Sequence, residues 1–131
     1  MKQHWEEIAI DRETIELALN EDSYSKMENE GILHVLAFRV DGHLAGYYIA
    51  FLLPHIHYKN AGLMAFTDIY YIAPQHRRAA NGIMLFREAE RTLKERGVVK
   101  AYCSTKVHKD NSRILEFLGW NLTDKVFTKL F

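Results

Sequence analysis

Hydrophobic and polar positions change their spacing several times along this chain, and each change marks an element. From Trp5 to Met27 the apolar residues Trp5, Ile8, Leu17, Leu19, Tyr24 and Met27 are scattered among acids and good helix formers with no proline, which predicts one or two amphipathic helices. Ile32 to Val40 is rich in branched and aromatic residues. Asp41-Gly42 after it is a strong two-residue hairpin signal leading into His43 to Leu53, so these two runs read as antiparallel strands. Pro54 to Gly62 reads as a loop. Leu63 to Ala73 is a third strand, stopped by Pro74, which lacks a ladder donor and restricts the residue before it.

From Ala79 the period becomes helical, with Ile83, Phe86, Ala89, Glu90 and Leu93 in phase and Gly97 where a C-cap glycine belongs; a helix of about four to five turns follows. Val98 to Thr105 is the next strand. Asp110 or Asn111 could N-cap a short helix through Leu118 that closes at Gly119, and Val126 to Phe131 reads as a last strand. The strand-helix-strand unit around Ala79 to Gly97 requires its two strands to be parallel, whereas the hairpin before it is antiparallel. An α+β fold with a mixed sheet results.

At 131 residues the chain suits one domain over 1–131, with no repeat or linker. Apolar residues at 48% and charged ones at 26% argue against disorder and fibrous repeats. Seventeen basic residues balance seventeen acidic ones, so no global field steers the molecule toward nucleic acid or an anionic membrane. The lone Cys103 fits a reducing compartment, and no apolar run approaches the ~20 residues of a membrane helix or forms a signal core at the start, which together point to the cytoplasm.

The stretch with most chemistry is Pro74-Gln75-His76-Arg77-Arg78-Ala79-Ala80-Asn81-Gly82, between a strand and a helix start. Small residues at Ala79, Ala80 and Gly82 let a ligand approach the backbone, and first-turn N–H groups lack intrahelical partners. Arg77 and Arg78 add mobile positive charge, so the terminus suits a pyrophosphate. Spacing alone favours an ordinary strand-to-helix connection, any of which can contain Arg and Ala, over a phosphate site.

This stretch resembles the acetyl-CoA loop of the GNAT superfamily of N-acetyltransferases, whose pattern is Q/R-x-x-G-x-G/A after a strand ending near proline. Arg77-Arg78-Ala79-Ala80-Asn81-Gly82 fits it, with Ala80 in place of the first glycine. The Asp-Gly hairpin, the strand Phe66 to Ala73, the long helix and the late Leu115-Glu116-Phe117-Leu118-Gly119-Trp120 agree in order. His4-Trp5-Glu6-Glu7, Pro54-His55-Ile56-His57-Tyr58-Lys59 and Asp68-Ile69-Tyr70-Tyr71 resemble a little-characterised branch found in phages and bacteria. Resemblance runs from residue 4 to the end.

What the resemblance implies is a GNAT-like fold, acetyl-CoA as co-substrate, and transfer of its acetyl group to an amine by direct attack on the thioester. The pantetheine arm would bond to the backbone of Tyr70, Tyr71 and Ile72, the diphosphate would sit on Arg77 to Gly82, and Asn111 would reach the amide arm, although helix capping explains Asn111 as well. The base is expected at Asp68, which by strand alternation shares a face with Tyr70 and Ile72; a strand carboxylate also serves as an ion-pair partner. The tyrosine acid that many members carry four residues before the glycine is Leu115 here. Tyr102, Tyr70 or solvent would replace it, or the thiolate would leave unprotonated.

His55, His57 and Tyr58 are expected to line the acceptor pocket. A metal held by the two histidines lacks further ligands at suitable spacing, and no metal is expected. Cys103 is read as a strand thiol. The chain starts too late to supply the strand that precedes the family's first helix, which leaves an edge for a second subunit to cover and makes a homodimer an expectation. Leu115 and Ala80 also suit an alternative, a non-catalytic GNAT-fold binding module acting through a partner protein.

Overall fold

The computed structural model describes residues 1–131. Two short helices come first, α1 (Lys2–Ile8) and α2 (Glu21–Asn29). Asn20 starts α2 by accepting the Ser23 N–H at 3.0 Å, and Glu21 and Asp22 lie in its first turn, where the helix dipole favours acids. Strands β1 (Leu33–Val40) and β2 (His43–Pro54) form the expected hairpin, with Asp41 and Gly42 at φ 49° and 80°, the left-handed pair that a twisted two-residue turn demands. β3 (Leu63–Ile72), a 3-10 turn (Pro74–His76), α3 (Ala79–Glu95), β4 (Val98–Tyr102) and α4 (Ser112–Phe117) complete the order.

The sheet order is β1-β2-β3-β4, antiparallel except for the β3–β4 pair, which the crossover through α3 makes parallel. This is the mixed sheet anticipated above. The terminal strand is not formed: residues 121–131 are exposed throughout and make no main-chain hydrogen bond outside regular elements. The apolar alternation of Val126 to Phe131 suits a strand, but β4 has only five residues and the segment does not pair with it. β4 is also shorter than the expected 98–105, and that difference shapes the site.

α3 packs on one face of the sheet. Leu85, Phe86, Ala89 and Leu93 of α3 and Leu115 of α4 bury against Tyr48, Ala50, Leu52 and Ala65, and each large side chain so buried contributes about 1.5–3 kcal/mol. Arg96 fastens the end of α3 to the start of the hairpin through the Leu33 and Gly31 carbonyls, at 2.9 and 2.6 Å. Trp120 donates its indole N–H to Glu90 at 2.6 Å and locks the turn after α4 onto α3. The opposite face carries Tyr47 and Tyr71, and α1 docks there through His4, whose ring stacks on Tyr71 at 4.6 Å and whose Nδ1 lies 2.7 Å from the Tyr47 hydroxyl. No helix is long and apolar enough to cross a membrane.

Candidate active site

The sheet opens where β4 ends. β4 is paired with β3 only from Leu63–Val98 to Phe66–Tyr102, so Thr67 to Ile72 runs on with no neighbour on that side. The phase of the ladder then decides which groups are left over. Ala73 donates to the Ala45 carbonyl at 2.8 Å, so Ala73, Tyr71 and Ile69 exchange bonds with β2, and the N–H and C=O groups of Tyr70 and Ile72 point into the opening. Arg77 Nε takes the Ile72 carbonyl at 2.7 Å. The Tyr70 N–H and C=O and the Ile72 N–H remain, the edge an extended amide chain needs to add as a substitute strand.

The loop at the mouth of this slot supplies less than expected, but supplies it cleanly. The N–H groups of Ala79 and Ala80 find no acceptor, and no side chain caps α3. Asn81 and Gly82 already bond the Arg78 carbonyl, at 3.0 and 3.2 Å, in the first turn. The Asn81 side chain donates to the His76 carbonyl at 2.8 Å and so braces the preceding turn. Gly82, read above as room for a ligand, instead faces α4: a β-carbon on it would lie 3.1 Å from Ile114 Cδ1.

Arg77 is not the mobile cation that its position suggested. Its two terminal nitrogens meet both carboxylate oxygens of Glu7 on α1 at 2.6 and 2.5 Å, and its guanidinium carbon lies 5.3 Å from the centre of the Tyr71 ring. A bidentate fork of this kind fixes the group's plane. Glu7 also meets Lys109 at 3.4 Å, and the Arg77 fork above all holds its carboxyl below the usual range. Arg78, exposed and in no ion pair, is the free cation beside the open amides.

Asp68 lies on β3 at the base of the opening, but not in the expected phase. The ladder slips there: Ile69 faces Ile49 and Thr67 faces Ala50, leaving Asp68 as the extra residue of a bulge. Tyr70 and Ile72 consequently share the α3 face with Thr67, while the charge of Asp68 is felt by Tyr24 of α2 on the α1 side. Surrounding protein desolvates Asp68 and raises its carboxyl above the ordinary value. Tyr102 occupies the last paired position of β4, stacked parallel on Phe66 at 4.9 Å, at the closed end of the slot. Tyr70 packs its ring edge-on against Phe86 at 5.1 Å; burial raises its hydroxyl's pKa, and Thr105 and Asn111 are near enough to oppose the shift.

Asn111 donates its side-chain N–H to the Lys109 carbonyl at 3.1 Å, and Asp110 rather than Asn111 receives the Ser112 N–H at 2.9 Å. Leu115 is buried in the core and brings no acid to α4. Burial pushes the Cys103 thiol up to about 11, so it stays protonated and is a poor nucleophile.

His55, His57 and Tyr58 are not brought to this place. Their rings cluster, His55 with Tyr58 at 4.6 Å and His55 with His57 at 5.5 Å, in the connection that precedes β3, whereas the slot widens toward the strand's other end. Ten residues of strand separate the two ends by about 30 Å. No three His, Cys, Asp or Glu side chains gather round a common point. Sequence reasoning in turn missed Glu7, Lys109 and the His4–Tyr47 contact, because each pairs residues more than forty positions apart with no local signal.

Residues 2–119 match the acetyltransferase (GNAT) family. No curated protein sequence matches the chain. Among solved structures, a transcriptional regulator from Bacillus halodurans superposes with a TM-score of 0.74 at 17% identity, over 85% of this chain and 74% of that one. An acetyltransferase from Trypanosoma brucei gives 0.73 at 14% identity, over 99% and 92%. Glucosamine-6-phosphate N-acetyltransferase from Arabidopsis thaliana gives 0.72 at 14%, over 85% and 76%. At such identities these structures speak for the fold, and the family match, which spans most of the chain, carries the assignment: this protein belongs to the GNAT acetyltransferases.

Proposed function

We propose that this protein is an N-acetyltransferase that moves the acetyl group of acetyl-CoA to a primary amine. The single observation that carries the reading is the stretch of β3 that outruns β4, with the Tyr70 N–H and C=O and the Ile72 N–H directed into the gap and two unbonded amides, those of Ala79 and Ala80, at its mouth. The residues present fit an extended amide arm ending in a diphosphate. Ala79 and Ala80 hold the phosphates by their N–H groups and Arg78 by its charge; Tyr70 and Ile72 hold the arm. When bound, acetyl-CoA supplies the acyl group as a thioester.

The chain's own residues have three tasks. The slot holds the acyl carbon against the incoming amine, which turns a bimolecular encounter into a positioned one. Asp68 takes a proton from the ammonium through water, and its raised pKa brings it nearer to the working pH of a base. The Tyr70 N–H, deeper in the slot, would donate to the negative charge that develops on the acyl oxygen, leaving the Tyr70 C=O and the Ile72 N–H for the arm. The amine nitrogen would form the new amide bond as the carbon–sulfur bond breaks with its electron pair on sulfur; the nitrogen's second proton would pass to water, and the thiolate would take a proton from water or from Tyr102, which water then restores.

The acceptor reaches the thioester from the face that carries Tyr24, Tyr47 and Asp68, and the displaced His55–Tyr58 loop takes no part. Thermal shift with acetyl-CoA, CoA and ATP tests the cofactor: a ligand at a hundred times its Kd stabilises by ~2.7 kcal/mol. Thiol release over an amine panel then tests transfer. Stabilisation by CoA without thiol release from any amine would favour the binding module over the enzyme.

A further inference from the structure

The two lips of the slot are joined by one carboxylate. Glu7 of α1 accepts both terminal nitrogens of Arg77, on the lip that follows β3, and also meets Lys109, on the lip that follows β4, at 3.4 Å. Its side chain is only 19% exposed, while those of Arg77 and Lys109 are 39% and 50% exposed, so the two cations stay open to an anion arriving from solvent. A planar guanidinium recognises a carboxylate and a phosphate with the same fork, and a lysine beside it suits a doubly charged anion better than a single carboxylate. α1 itself is seven residues long and is docked by His4. So short a helix is marginal without that docking.

We propose that Arg77 and Lys109 form a second phosphate contact for the cofactor, and that Glu7 fills it, latching α1 across the slot, until a diphosphate displaces the carboxylate. The inference rests on the acetyl-CoA reading above. It explains why the chain commits its best-placed arginine to a carboxylate seventy residues away instead of leaving it free beside Arg78. It also gives α1 two states, docked with Glu7 on the lips and released with the lips on phosphate, and the balance between them sets the apparent affinity.

Calorimetric titration of the whole chain with CoA, for wild type and Glu7→Gln, tests this. The amide keeps the shape and removes the competing charge, so the variant is expected to bind CoA about fivefold to tenfold more tightly. Equal or weaker binding by a folded Glu7→Gln would overturn the latch while leaving the cofactor reading intact. Because the variant loses two ion pairs and could fold poorly, a second measurement uses wild type alone. Hydrogen exchange of the α1 amides, those of Trp5 to Ile8, should quicken when CoA is added. Slowed or unchanged exchange with bound CoA overturns the proposal. Absence of CoA binding by both proteins overturns the cofactor reading and the latch together.

Discussion

A β-carbon on Gly46 would stand 2.4 Å from the carbonyl oxygen of Tyr71 and 3.2 Å from the Cα of Ile72. β2 therefore touches β3 with bare backbone at the level where β3 borders the open slot. Because the obstructing atoms are main chain, they cannot rotate aside. Gly46→Ala is expected to force β3 outward and cost about 1–3 kcal/mol, a fall of several degrees in a melt. CoA affinity should fall further than stability alone requires, since the displaced Ile72 turns its N–H into the slot. A variant with unchanged melting and unchanged CoA titration would show that this close approach is not needed.

Asp68 sits in the bulge that separates it from Tyr70 and Ile72, and its desolvation raises its pKa. As a base it works only when ionised, so activity should rise with pH through that raised value. Asp68→Asn should lower kcat by about a hundredfold, within the range one positioned base contributes, and remove that limb of the profile while CoA affinity stays as it was. A profile in the variant with the same acid limb would assign the limb to another group.

His4 is buried between Tyr47 and Tyr71, and desolvation, the largest effect, outweighs the opposing charge of Glu7 and, with lesser help from the N-terminus and Arg77, lowers its pKa from 6.5 to about 4. The folded state thus holds the ring neutral, while the unfolded chain protonates it near 6.5. Between those values the unfolded chain binds more protons, so stability is full above pH 6.5 and falls as pH drops toward 4, by up to about 3 kcal/mol. Below about 4 His4 adds no further loss. Since α1 is short, release of that helix should come before global unfolding. Melts of wild type and His4→Gln across this window check it: the difference between them should shrink with acid, because Gln carries no proton to gain.

The elements themselves were legible because each had a local cause: the Asp-Gly turn, the proline after β3, the helical spacing to Gly97. The slot was legible only in part. Its loop could be found from Arg77 to Gly82, but whether an arginine is free depends on what lies near it in space, and Glu7 is seventy residues away. Alternation located Asp68 on the wrong face because a bulge adds one residue without any marker in Phe66-Thr67-Asp68-Ile69. The His55–Tyr58 loop looked chemically promising, yet strand direction places it at the far end of β3, which composition does not encode.

Residues 121–131, whose alternation predicts a last strand, form none. Phe127 is 88% exposed and the segment lacks main-chain partners, so its removal takes away no contact of the core. A chain ending after Trp120 keeps the indole bond to Glu90 and the bond from its own N–H to the Leu115 carbonyl at 3.0 Å. It should melt within about 0.5 kcal/mol of the full chain, as surface changes do. A large loss, or loss that depends on protein concentration, would reveal that the segment pairs with a second copy in solution.

Arg78 differs from Arg77 in that its side chain makes no ion pair or hydrogen bond, and this contrast gives the sharpest check on the mouth of the slot. Arg78→Ala removes no ion pair, so the unliganded melt should stay within about 0.5 kcal/mol of wild type. CoA should bind about fivefold more weakly, roughly 1 kcal/mol, because one exposed cation beside two free amides is lost. That difference should fade as salt is raised, since charges exposed to solvent are screened within about 10 Å at 0.1 M. Calorimetry at two ionic strengths reads both effects. If Arg78→Ala binds CoA as wild type does at low salt, the diphosphate does not lie against the start of α3.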